Sequence, residues 1–304
     1  MGHGMPLAGI HAHWLTSSGG EGHIGAPDAL FPYWSFTKTA IAVCTLKLCE
    51  TGVFDLHAKI QGQPFTLHQL LAHTSGLPDY GHVPEYSAAV LAKDPPWSRE
   101  KMLGIALSKG MLFAPEQGWS YSNIGYMFLK EAIEAATGRP LGDVIDHMIT
   151  GPLKLDSVEM ALTPAQFAQV HWPACRGYDP LWVYHGCLIG TASDAVRLLH
   201  GVFTGGMLQP ETLALMTRTK ILGGPLPQRP WTECGYGLGL MAGRIKGGQR
   251  SMGHSGAGPA CVNAVYHFPD ANDPMTIACF TDGGDEGVPE TFAVDRVLGI
   301  QHSG

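Results

Sequence analysis

The spacing of hydrophobic positions changes along this chain, and each change predicts a different element. From about Phe36 to Glu50, Ile41, Cys44, Leu48 and Cys49 recur at helical intervals, predicting a helix with one buried face that stops at Gly52. Capping signals open three further helices, at Thr66-Leu67-His68-Gln69, Ser98-Arg99-Glu100-Lys101 and Thr191-Ala192-Ser193-Asp194. Ahead of the first helix, Leu7 to Leu15 reads as a short strand running into a Gly-rich stretch. Residues 61 to 190 are helical or broken by Gly and Pro. The last third alternates instead: Tyr236 to Lys246, Gln249 to His254, Ala260 to Phe268 and Met275 to Thr281 read as successive strands. Lys246-Gly247-Gly248 and Pro269-Asp270-Ala271-Asn272-Asp273-Pro274 supply the turns between them, and a helix from about Pro289 to Leu298 packs back on the sheet. The pattern predicts an α/β-plus-all-α body. Its antiparallel sheet is drawn from residues 1–60 and 191–304, flanked by helices and interrupted by a helical insertion over 61–190.

Composition narrows the functional classes. The chain has 304 residues, enough to bury a large core, and only 15% are charged. With 19 basic against 26 acidic residues and no basic cluster, it is a poor candidate for nucleic-acid binding. No apolar run reaches the ~20 residues of a membrane helix. Met1-Gly2-His3-Gly4-Met5-Pro6 shows no export signal. The seven cysteines lack C-x-x-C spacing and read as free thiols, so the expected location is cytoplasmic.

Three short motifs carry chemistry. Ser35-Phe36-Thr37-Lys38 opens the first helix, with Ser35 and Lys38 one turn apart on one face. A serine hydroxyl needs a base to become a nucleophile, an amine stacked beside it can serve, and the helix N-terminus favours a developing oxyanion. A second copy, Ser98 to Lys101, sits among charges and reads as a solvated N-cap. Tyr121-Ser122-Asn123 lies in a turn-rich stretch before an apolar helix. A tyrosine acts as a base only if positive neighbours lower its pKa from about 10, and Lys38 is the candidate neighbour. Asn123 offers a donor and an acceptor, suited to Lys38 and a substrate carbonyl. His254-Ser255-Gly256-Ala257 ends an expected strand, whereas the other H-x-G copies, at His23 and His302, lie in a Gly-rich stretch and at the C-terminus.

Together these motifs resemble the active site of the penicillin-recognising serine hydrolases, in particular the class C β-lactamase-like family of β-lactamases, D-Ala-D-Ala peptidases, esterases and amidases. Leu70-Leu71-Ala72-His73-Thr74-Ser75-Gly76-Leu77-Pro78-Asp79-Tyr80, Gly190-Thr191-Ala192-Ser193-Asp194 and Tyr236-Gly237-Leu238-Gly239 extend the resemblance over about residues 30 to 300. It implies a β-lactamase/transpeptidase-like fold, Ser35 as the acylated nucleophile, Lys38 as its proton partner and Tyr121 as general base and acid. It further implies substrate contacts from Asn123, His254 and Gly256, with an oxyanion hole from the N–H groups of Ser35 and Ala257. His254 replaces the lysine that many β-lactamases use to hold a substrate carboxylate, which favours ester or amide substrates. Whether Tyr121 or Lys38 takes the first proton stays open at this level.

The expected protein is therefore a serine hydrolase that needs no cofactor or metal and acts on a small ester or amide, with no nucleic-acid or membrane partner. Its oligomeric state is not readable from the sequence. A β-lactamase is the first alternative, and an inactive ligand-binding relative the second. Gly253-His254-Ser255-Gly256-Ala257 also resembles a nucleophile elbow, but the apolar strand before it and the helix after it are missing. The histidines show no metal-protease spacing. Trp119, Tyr178, Trp182, Tyr184 and Trp231 are candidate walls of a substrate cleft between sheet and insertion.

Overall fold

The computed structural model describes residues 9–300. Met1 to Pro6, the start of the expected first strand and His302 lie outside the described residues. Among the described residues eleven strands occur, β1 (Ile10–Thr16), β2 (Glu21–Ile24), β3 (Phe31–Pro32), β4 (Glu159–Ala161), β5 (Cys187–Gly190), β6 (Lys220–Gly223), β7 (Trp231–Tyr236), β8 (Met241–Ile245), β9 (Arg250–Gly258), β10 (Cys261–Phe268) and β11 (Met275–Asp282). Eight form one antiparallel sheet in the order β2-β1-β11-β10-β9-β8-β7-β6, and β3-β5-β4 make a small second sheet. The N-terminal strand thus closes onto the last one, with Ile10 opposite Thr281.

The period of two along the central strands divides the core in two. Ala278 and Phe280 face one side with the helix Thr37–Glu50 and the helix Ala192–Thr204. Ile277 and Cys279 face the other side with Phe292, Ala293 and Val294 of the helix Gly287–Val297. The antiparallel sheet flanked by helices is as expected. The three capping signals also work as read: Thr66 accepts from the Gln69 amide, Ser98 from Lys101 and Thr191 from Asp194.

One expected strand is corrected. Tyr236 to Lys246 is not continuous, because Gly237-Leu238-Gly239-Leu240 turns the chain between β7 and β8. Gly239 has φ +73°, and a Cβ there would lie 2.3 Å from that of Ala42 and 3.2 Å from the Lys38 carbonyl oxygen. Only glycine lets this turn seat on the first helix, directly behind Lys38. Among the described residues no helix is long and apolar enough to cross a membrane.

Candidate active site

Ser35 stands in a single 3-10 turn, Trp34–Phe36, that feeds the helix Thr37–Glu50. Trp34 takes a left-handed conformation, φ +44°, which a bulky residue adopts only when its surroundings hold it there. Its indole N–H donates to Cys261 Sγ at 3.2 Å. Behind it, the Tyr33 amide donates to the Leu188 carbonyl at 2.8 Å and the Leu188 amide to Thr37 Oγ1 at 3.0 Å. Asn263 on β10 is buried and donates to the Pro32 and Tyr33 carbonyls, each at 3.2 Å. Gly256 and Gly258 let β9 lie against this turn: a Cβ at Gly258 would lie 2.4 Å from the Trp34 ring, and one at Gly256 2.8 Å from the Tyr33 carbonyl oxygen.

Lys38 is fully buried beneath the half-buried Ser35. Its ammonium has three donors and three acceptors: Ser35 Oγ at 3.1 Å, Asn123 Oδ1 at 2.6 Å and His185 Nε2 at 3.1 Å. The segment His73 to Asp79 builds the cradle for the Tyr121-Ser122-Asn123 loop. His73 Nδ1 accepts from the Ser122 amide at 3.1 Å, and Ser122 Oγ donates to the Pro78 carbonyl at 2.7 Å while capping the next helix. Asp79 accepts from the Asn123 backbone at 3.2 Å and from its side-chain amide at 3.0 and 3.1 Å. Asn123 is therefore committed at both ends, its oxygen to Lys38 and its nitrogen to Asp79. At most one amide hydrogen remains for a substrate oxygen.

The electrostatics reorder the two candidate bases. Burial pulls the Lys38 ammonium down from 10.5 to about 7, against the opposing pull of Asp79 and Cys187. Near neutral pH about half of it carries a lone pair. The Tyr121 hydroxyl is buried and, among the described residues, makes no hydrogen bond of ordinary geometry. Burial pushes it well above the usual tyrosine range, only partly offset by the nearby Ser35 hydroxyl. Lys38 Nζ faces the Tyr121 ring, 5.0 Å from its centroid, and makes no hydrogen bond to its hydroxyl. The expected lowering of Tyr121 by Lys38 is not seen, because burial dominates and the Ser35 hydroxyl is the one group that opposes it.

His254 is also placed differently from expectation. It is fully buried, its Nδ1–H donates to the Ser255 carbonyl at 2.6 Å and its Nε2 accepts from the Tyr236 hydroxyl at 3.0 Å. Burial, assisted by Lys38, holds its pKa at about 3, so it stays neutral. Both nitrogens are spoken for, so His254 brings no positive charge to the site, although Lys93 lines the cleft. Ala257, in contrast, lines the same cleft as Ser35. It lies beyond the end of β8, whose pairing with β9 stops at Gly253, so this stretch of β9 keeps an edge unpaired by β8 beside the turn that holds Ser35. Ser255 points to the opposite face of the sheet, sharing a hydrogen bond of 2.8 Å with the Tyr266 hydroxyl and donating to the buried Glu290 carboxylate. It sits mid-strand, with no elbow. Ser98 is an exposed cap.

The cleft above Ser35 has a volume of about 790 Å³, and its walls include Trp34, Tyr80, Tyr86, Tyr178, Val183 and His185. Of the five aromatic residues expected there, only Tyr178 lines it. Trp119 and Trp231 line a separate cavity of about 180 Å³, Trp182 is core, and the Tyr184 hydroxyl is tied to the Trp97 carbonyl at 3.1 Å. Asp79, His185 and Asn263 were missed as site residues. Asp79 and His73 lie in the quoted His-Thr-Ser-Gly-Leu-Pro-Asp run, which could have signalled a cradle. His185 and Asn263 carry no local signal. Among the described residues no His, Cys, Asp and Glu side chains converge as a metal site.

Comparison with known proteins bears on the family and the fold. The family model named Beta-lactamase matches residues 13–299. The esterase EstB of Burkholderia gladioli is 25% identical over 325 residues, spanning 88% of this chain and 81% of its own length. Penicillin-binding protein 4* of Bacillus subtilis is 29% identical over 147 residues, 44% of this chain but only 31% of its own. Among solved structures, the D-amino acid amidase of Ochrobactrum anthropi SV3 superposes with a TM-score of 0.81 at 22% identity, covering 96% of this chain and 95% of its own. A D-stereospecific amidohydrolase from Streptomyces gives 0.76 at 24%, covering 92% of each. The structural likenesses establish the fold.

Proposed function

The chain belongs to the β-lactamase family, and we propose that it is an esterase or amidase that hydrolyses a small ester or amide substrate through an acyl-Ser35 intermediate. The observation that carries this reading is a buried amine, half neutral near pH 7, hydrogen-bonded to a serine hydroxyl at the floor of an aromatic-walled cleft. Ser35 Oγ attacks the substrate carbonyl as its proton passes to Lys38. The N–H groups of Ser35 and Ala257 receive the oxyanion, an interaction whose loss typically costs a factor of ~10²–10³ in rate. The collapsing intermediate expels alcohol or amine, which takes the proton back from Lys38, directly or through Tyr121. Water then attacks the acyl-enzyme with the same groups in reverse. Asn123 holds the amine, and Asp79 holds Asn123.

The curated relatives named as an esterase and a penicillin-binding protein support acyl transfer by this fold. A genuine β-lactamase is disfavoured by the neutral, fully engaged His254. The free state of all seven thiols suits a reducing compartment, the cytoplasm. The test is turnover of p-nitrophenyl butyrate and a chromogenic cephalosporin by wild type and Ser35→Ala. Ester turnover that disappears in Ser35→Ala is expected. Rapid cephalosporin turnover would make the protein a β-lactamase, and full activity of Ser35→Ala would overturn the serine mechanism.

A further inference from the structure

His185 follows no motif, yet it is fully enclosed in the wall of the cleft with Nε2 3.1 Å from Lys38 Nζ. Facing an ammonium, Nε2 must accept, which puts the ring hydrogen on Nδ1. That atom is buried without a partner among the described residues. An unpaired buried donor costs free energy, so something must favour this arrangement. The alternative tautomer would aim N–H at the amine itself.

Counting hydrogens shows what the contact does. A neutral Lys38 has two N–H groups and one lone pair. Asn123 Oδ1 can only accept, so it takes one hydrogen. The other hydrogen goes to Ser35 Oγ or to His185 Nε2, and the lone pair faces whichever of the two is left. Only when His185 takes the hydrogen does the lone pair face the Ser35 hydroxyl and remove its proton.

We infer that His185 is a positioning residue for the acylation step, accepting an amine hydrogen at Nε2 so that the lone pair of neutral Lys38 is turned onto Ser35. The inference rests on the serine-hydrolase reading above. Burial and the facing Lys38 keep His185 well below the ordinary histidine range, so it remains an acceptor across the working pH. The other groups around the amine do not substitute for it. Tyr121 and Tyr126 present ring faces at 5.0 and 5.6 Å. Asp79 and Cys187 act only through charge, and His73 and His254 bond elsewhere through Nδ1 and through both nitrogens, respectively.

The test is the rate of Ser35 labelling by an alkyl fluorophosphonate as a function of pH. Serine oxygen displaces fluoride from phosphorus in this reaction and its proton goes to the base, so no natural substrate is needed. His185→Leu is expected to label at least about 30-fold more slowly, with the acid limb moved to lower pH because the ammonium has lost an acceptor. His185→Gln, whose amide oxygen can reach the Nε2 position, should stay within about threefold of wild type with its limb in place. Wild-type rate and limb in His185→Leu, or equal losses in Leu and Gln, would overturn the inference. If the Leu variant shows no cooperative melt, Gln against Asn decides, because Asn mimics Nδ1 and must label about tenfold more slowly than Gln; equal rates reject the role. Failure of wild type to label at Ser35 would instead reject the serine mechanism itself.

Discussion

A residue that works by being half charged in a dry place should weaken the fold that holds it, and Lys38→Met measures by how much. The ammonium falls from 10.5 to about 7 on folding. At about 1.4 kcal/mol per pKa unit, that is a burial penalty of roughly 5 kcal/mol for the charged form. Methionine fills similar space without the charge but leaves Asn123 Oδ1 without its donor, at a cost of about 1–3 kcal/mol. At pH 7 the variant should therefore be inactive and about 1–3 kcal/mol more stable than wild type. The sign of the pH dependence follows from linkage. Between about pH 7 and 10.5 the unfolded chain holds a proton on Lys38 that the folded chain has released, so wild-type stability rises with pH across that window. The advantage of the methionine variant should shrink by about 3 kcal/mol between pH 7 and pH 9.5. Urea unfolding of both proteins at the two pH values reads this directly. A difference that does not change with pH, or a methionine variant less stable than wild type at pH 7, would refute the assignment of Lys38 as a depressed buried amine.

Three further perturbations separate chemistry from support. Asp79→Asn removes the carboxylate that both anchors Asn123 and raises the Lys38 pKa, so kcat/KM should fall about 10–100-fold with its acid limb moved to lower pH. A limb that moves upward contradicts the argument. Gly258→Ala forces a methyl against the Trp34 ring; we expect about 1–3 kcal/mol of destabilisation and at least a tenfold loss of kcat, read by thermal melting and ester hydrolysis. Ser255→Ala breaks its bonds to Glu290 and Tyr266, costing about 1–3 kcal/mol while the folded enzyme keeps most of its turnover, whereas an inactive but stable variant would restore Ser255 as a candidate nucleophile.

What could be read from the sequence was what sits close together in it. Ser35 and Lys38 share one helical turn, and the caps at Thr66, Ser98 and Thr191 act over three residues, so local rules find them. The strands read at Gln249–His254, Ala260–Phe268 and Met275–Thr281 were found too, although β9 runs four residues further, to Gly258. The turn at Gly237–Leu240 was not, because Tyr-Gly-Leu-Gly-Leu alternates like a strand and its reason for bending is the first helix, nearly 200 residues earlier. His185 reaches Lys38 across 147 positions and Asp79 reaches Asn123 across 44, beyond any periodicity. His254 was identified by motif, but its closure by Tyr236 depends on β8 pairing with both β7 and β9. The cleft walls were misjudged for the same reason: bulk and aromaticity do not say which face of a segment meets solvent.

The grip of Asn263 on the carbonyls of Pro32 and Tyr33 spans more than 200 residues of chain, and β1, paired on one side with β2, waits for β11 on the other. The ribosome therefore delivers Ser35 first and its frame last. A nascent chain that has emerged as far as β8 already carries Ser35, Lys38, Tyr121 and Asn123, but lacks the strand beside the serine and the side chain that fixes the turn before it. Long-range pairings of this kind form slowly and late. On the mechanism proposed above, Ser35 stays without its frame until the C-terminal strands dock.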